Sequence, residues 1–174
     1  MSPVAHSALG LLGWELGASR KTWPSLALFV LAANLADLDF LFAFLFGRRP
    51  LFVHQAYTHN IFFVLAASGL LALALSKGRG RRALVLTGLS HLAADIFVVD
   101  AIPPVGFRLF FPFSEALFNV PLFPYLVRPP YGPVFSPRNI AVLGLEAAVF
   151  VLPVLAFCSG RLKGRLSRRA VRTS

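Results

Sequence analysis

The chain is poor in cysteine, methionine and acid: one Cys, one Met and seven Asp or Glu among 174 residues. A lone cysteine, Cys158, excludes an internal disulfide and argues against thiolate ligation of a metal. No internal repeat is evident. Lys and Arg are absent from five apolar stretches, residues 4–19, 24–46, 59–76, 83–102 and 139–158. No basic residue precedes the first of these and Arg20-Lys21 follows it, the reverse of a cleaved signal peptide, so this segment is expected to be retained.

What is there is apolar. Hydrophobic residues make up 57% of the chain and the mean hydropathy is +0.72, beyond an ordinary soluble domain. Four of the stretches approach the roughly 20 residues that cross the hydrocarbon core as a helix, and the fifth, residues 4–19, is shorter and carries Glu15. The expected fold is therefore all-α, a polytopic membrane helix bundle with four to five spanning helices. Residues 1–160 read as one membrane-embedded domain and 161–174 as a basic, disordered cytoplasmic tail. The net charge of +10 is explained by topology. With the C-terminus cytoplasmic, twelve of the 17 basic residues fall inside and five outside, Arg48, Arg49, Arg108, Arg128 and Arg138, as the positive-inside rule demands. Nucleic acid is not an expected partner.

Local signals place the helix ends. Trp23-Pro24 suits the first turn of helix two, and Thr58 is a possible cap for helix three. Residues 103–138 hold nine of the thirteen prolines and seven phenylalanines, which no regular helix accommodates. This long Pro/Phe-rich outer loop is expected to lie in the membrane interface or fold over the helix bundle.

The informative residues are ionisable groups in apolar sequence: His6, Asp37, Asp39, His54, His59, His91 and Asp95. An aspartate near the bilayer centre costs on the order of 2.5–3.5 kcal/mol, and no Lys or Arg in the stretches offsets it. A bound cation is the economical partner. His91 and Asp95, at i and i+4, share one helix face and can meet one ion, although a His–Asp hydrogen bond between helices is the alternative. Asp37 and Asp39 lie about 200° apart on an ideal helix, so both reach one site only where the helix ends. Either both bind metal, or one binds and the other orients a histidine. In the topology above all seven groups fall in the outer leaflet. Imidazole mixed with carboxylate suits zinc, with manganese as the other choice, and one or two ions.

Order and spacing resemble those of a family: His6, the Asp37/Asp39 pair, His54 with Thr58-His59, then Gly88, Ser90, His91 and Asp95, followed by Gly106–Phe113. This series is similar to that of the YdjM-like bacterial membrane-bound metal-dependent hydrolases. The chain departs from their pattern at Ala36, Phe40, Gln55 and Asn60. A weaker similarity links the HxxxD series to zinc-dependent phospholipases C and related nucleases.

The resemblance implies a hydrolase of the bacterial inner membrane, cleaving a phosphoester or phosphodiester. A site at the outer leaflet boundary, facing the periplasm, favours a membrane lipid or lipid-linked substrate. In that reading a metal-bound water attacks, Asp37 or Asp39 acts as base or bridge, and Arg108, Arg48 or Arg49 receives phosphate oxygens. The alternatives are a metal-binding membrane transporter and a non-catalytic structural membrane protein whose polar cluster only joins helices.

Overall fold

Ser2 and Pro3 open the first helix, α1 (Pro3–Gly17), with the Ser2 hydroxyl accepting the Ala5 N–H at 3.2 Å and proline in the first turn. The second, α2 (Trp23–Ala33), starts on a capping box between Thr22 and Ser25 and also carries its proline early, as expected from Trp23-Pro24. The computed structural model describes residues 1–39, 45, 55, 57–75, 78–98, 106–124, 126, 133 and 135–173.

Helix α2 stops after eleven residues. Asn34 turns its amide back onto the Val30 carbonyl at 2.8 Å and onto Ser7 Oγ at 3.2 Å, competing with the helical ladder. A 3-10 turn, Leu35–Asp37, follows. Helix α3 (Ile61–Ala72) is capped by Asn60, whose Oδ1 accepts the Phe63 N–H at 2.8 Å; Thr58, the expected cap, is engaged elsewhere. Helix α4 (Arg79–Asp95) begins after Gly78, which adopts φ +102°. The last helix, α5, runs continuously through Pro137–Glu146, a π-helical turn Ala147–Val151 and Leu152–Thr173. Pro153 has no N–H and would clash with a carbonyl one turn back, and the wider π turn stands immediately before it.

The architecture is all-α, five helices among the described residues. One of them, over Pro137–Arg165, is long and apolar enough to cross a membrane. Among the described residues, the expectation of four to five spanning helices is not met by helix length. Helices α2 and α3 are apolar but short: Asn34 interrupts the run of α2, and α3 ends at Ala72. The tail read as disordered after Gly160 is instead helical to Thr173, being rich in the strong helix formers Arg, Leu and Lys.

Helices α1, α2 and α4 pack closely because α1 is thin where they meet. A Cβ on Gly10 would stand 2.8 Å from Val30 Cα of α2, and one on Gly17 would stand 2.0 Å from Ala83 Cβ of α4. Phe29, Ala32, Leu35, Ala72 and Leu84 form the main core. A second apolar cluster, Ala36, Val64, Leu92 and Phe107, ties the Pro/Phe-rich loop to α3 and α4. The loop folds over the bundle, as one of the two expectations had it: Phe107 is buried, the Ile61 N–H donates to the Leu109 carbonyl at 2.9 Å, and backbone bridges join Val98 to Phe123 and Phe107 to Phe118. Large apolar side chains stay exposed on the outside, Leu70, Leu73, Leu86, Phe113 and Leu152 among them, a surface that water penalises and lipid does not.

Candidate metal centre

Three elements deliver the polar centre. Asp37 comes from the turn that ends α2, His59 from the approach to α3, and His91 and Asp95 from the last turns of α4. One ligand atom from each lies within 4.8 Å of all the others, a group that could hold a metal ion. His59 Nε2 and His91 Nε2 are 3.3 Å apart. Asp95 Oδ2 stands 3.2 Å from His91 Nε2 and 3.5 Å from His59 Nε2, and Asp37 Oδ1 stands 3.6 Å from His59 Nε2 and 3.8 Å from His91 Nε2.

Hydrogen bonds behind the imidazoles set which atoms face the centre. His91 Nδ1 lies 2.8 Å from the Ala33 carbonyl, which can only accept, so Nδ1 carries the proton and a neutral ring turns an Nε2 lone pair inward. Thr58 Oγ1 donates to Asp39 Oδ2 at 3.0 Å and lies 3.2 Å from His59 Nδ1, leaving the hydroxyl to accept from that nitrogen. The Nε2 of His59 is then also an acceptor. Two imidazole nitrogens and two carboxylate oxygens converge on one space, which calls for a proton or a cation among them. This donor set could hold a metal ion.

The seven expected ligands therefore divide. Asp37, His59, His91 and Asp95 come together, and Asp39 lies behind His59, its Oδ2 3.7 Å from Nδ1 and accepting the Gln55 N–H at 3.1 Å. The turn that ends α2 sends the two aspartates to different places, one to the centre and one to orient a histidine. His6 is fully buried, stacks on His91 with centroids 3.8 Å apart, and holds Nε2 3.2 Å from Asp95 Oδ1. That contact has ion-pair distance without hydrogen-bond alignment, and His6 Nδ1 has no hydrogen-bond partner among the described residues. His54, Arg48 and Arg49 lie outside the described residues. Arg108 is part-exposed and pairs with Glu115, Nε to Oε2 2.9 Å, with its guanidinium over the Phe111 ring; neither contact belongs to the centre.

Three contributors escape sequence reasoning. The Met1 ammonium forms an ion pair with Asp95 Oδ1, a counter-charge from the backbone that a search for Lys and Arg passes over. Glu146 accepts the Ser2 N–H with both oxygens at 3.1 Å, anchoring the segment that carries His6. Phe107 sets its ring edge-on to His59, centroids 5.9 Å apart, and walls one side. For Glu146 there was a signal, a lone acid inside an apolar stretch.

The family pattern of the YdjM inner membrane protein matches residues 1–163, all five helices in part or whole. The chain belongs to this family. No curated protein and no solved structure matches it. In this YdjM-family protein the matched span contains every residue of the buried Asp/His centre.

Proposed function

We propose that this YdjM-family protein is a membrane-bound metal-dependent hydrolase acting on a phosphoester or phosphodiester of a lipid or lipid-linked substrate. The observation that carries it is the convergence of Asp37, His59, His91 and Asp95, four acceptors within 4.8 Å, inside a protein of an inner membrane family. These four residues would hold the ion, zinc before manganese. When bound, such an ion lowers the pKa of a water to about 7 and polarises a phosphoryl oxygen.

The chain supplies the rest. Asp37 is the least buried of the four, with 12% of its side chain exposed, which suits it to take a proton from water entering on that side. Thr58 and the Ala33 carbonyl hold the two rings in place, and Asp39 backs Thr58. Phe107 and its loop keep bulk water away from one flank. Arg108 lies in the same loop, and exchange of Glu115 for a substrate phosphate would bring its planar fork into use. Orientation follows from charge: the basic ends of α1, α4 and α5 face the cytoplasm and the Asp/His end faces the periplasm.

The test is elemental analysis of detergent-purified protein beside a His59→Ala variant, followed by a screen of lipid phosphodiesters and phosphomonoesters. Bound transition metal in the wild type, its loss in the variant and metal-dependent cleavage are expected. A metal-free wild type that His91→Ala merely destabilises would instead mark a structural helix joint.

A further inference from the structure

The end of the bundle remote from the Asp/His centre holds a second buried acid. Glu15, 5% exposed, lies in the last turn of α1. Three cations converge on it from two parts of the chain. Arg161 Nε stands 3.1 Å from Oε1, Lys21 Nζ stands 3.6 Å from Oε2, and Arg165 forms a two-nitrogen ion pair with both oxygens. Lys21 also donates to the Glu15 and Trp14 carbonyls and lies over the Trp14 ring.

One carboxylate against three cations leaves a surplus of two positive charges. The surplus faces outward. Arg161 and Arg165 keep 46% and 43% of their side chains exposed, and each guanidinium has five N–H donors, of which Glu15 engages at most two. Phe157, Arg161 and Arg165 follow one another at i, i+4 and i+8 along α5, and the Arg161 guanidinium lies 5.6 Å over the exposed Phe157 ring. A half-exposed basic pair thus stands directly beside apolar surface on the one helix among the described residues that is long and apolar enough to span a membrane.

We propose that the Lys21/Arg161/Arg165 cluster around Glu15 is a binding site for the phosphate of an anionic membrane phospholipid, with an acyl chain lying along α5 past Phe157. Arginine forks match phosphate oxygens, and Glu15 holds the two of them side by side before a lipid arrives. An isolated interfacial arginine has no such preorganisation. The bound lipid would clamp α5 to the α1–α2 connection. The site is remote from the metal centre and does not depend on it.

Binding is measured on the full chain in detergent, as purified, with phosphatidylglycerol, phosphatidylcholine or glycerol 3-phosphate added, by thermal shift and by lipid retained in native mass spectrometry. Phosphatidylglycerol is expected to stabilise and be retained, and the other two not. Arg161→Gln and Arg165→Gln should each weaken its binding about fivefold, the scale of one interfacial cation. Lys163→Gln, an exposed charge on the same helix outside the cluster, should leave it unchanged. If Arg165→Gln fails to fold, the more exposed Arg161→Gln decides alone. Equal effects of phosphatidylcholine, an equal loss in Lys163→Gln, or undiminished binding in Arg161→Gln would overturn the site. Glycerol 3-phosphate matching the lipid would overturn its assignment to a phospholipid.

Discussion

His59 Nε2 and His91 Nε2 face each other across 3.3 Å, both turned inward by partners on their Nδ1 atoms. In these tautomers the two lone pairs share one space with the oxygens of Asp37 and Asp95, an arrangement that needs positive charge between them. A divalent cation supplies that charge to all four groups at once. Zinc returned to chelated protein should therefore raise its melting temperature, by the equivalent of about 2.7 kcal/mol at a hundredfold excess over Kd. A thermal melt in detergent reads this, and His91→Ala should abolish the zinc response. A response that survives the substitution would place the ion elsewhere.

Asp37 and Asp39 should differ in kind. Asp39 reaches the centre only through Thr58 and His59, so Asp39→Asn is expected to weaken metal affinity by about 10–100-fold while leaving stoichiometry intact at saturating metal. Asp37→Ala removes a ligand atom and should lower the stoichiometry itself. Competition with a fluorescent chelator measures both, and identical behaviour of the two variants would contradict the division of roles.

Phe107 is 1% exposed and joins Ala36, Val64 and Leu92 beneath the Pro/Phe-rich loop. Phe107→Ala should cost about 3–5 kcal/mol through lost burial and the cavity it leaves. Hydrogen exchange should rise at residues 106–110 and at the start of α3, where Ile61 donates to Leu109. Unchanged exchange there would show that the loop is held by other contacts.

Gly10 and Gly69 give a paired comparison. A methyl on Gly10 meets the Val30 backbone at 2.8 Å, so Gly10→Ala must separate α1 from α2, at about 1–3 kcal/mol. Gly69 in α3 has nothing within 4 Å, and Gly69→Ala should stabilise by up to about 1 kcal/mol from helix propensity alone. Denaturation midpoints of the two variants should move in opposite directions.

Much of the centre was legible before any coordinates. His91 and Asp95 share a helix face by periodicity, and they do meet at one centre, 3.2 Å apart. That both aspartates could reach one site only where the helix ends followed from 3.6 residues per turn; α2 ends at Ala33, and Asp37 closes the 3-10 turn after it. Thr58 was misread as a cap because a hydroxyl before an apolar run suits that role equally well. Asn60, one residue closer to Ile61, takes the role and releases Thr58 to Asp39. Helix lengths were overestimated because hydropathy does not register a polar side chain that bonds back to its own backbone, as Asn34 does.

By itself the sequence determined the helical, apolar character of this protein, the inventory of acids and imidazoles without cationic side chains near them, and the gathering of basic residues at segment ends. These follow from composition and periodicity, which act over a few neighbouring residues. Only the tertiary structure decided which four side chains share a centre, which aspartate stands behind a histidine, and that Glu15 draws in Arg161 and Arg165 from the far end of the chain. Those outcomes depend on helix crossings and chain breaks between residues as many as 150 positions apart, distances over which local sequence carries no geometric information.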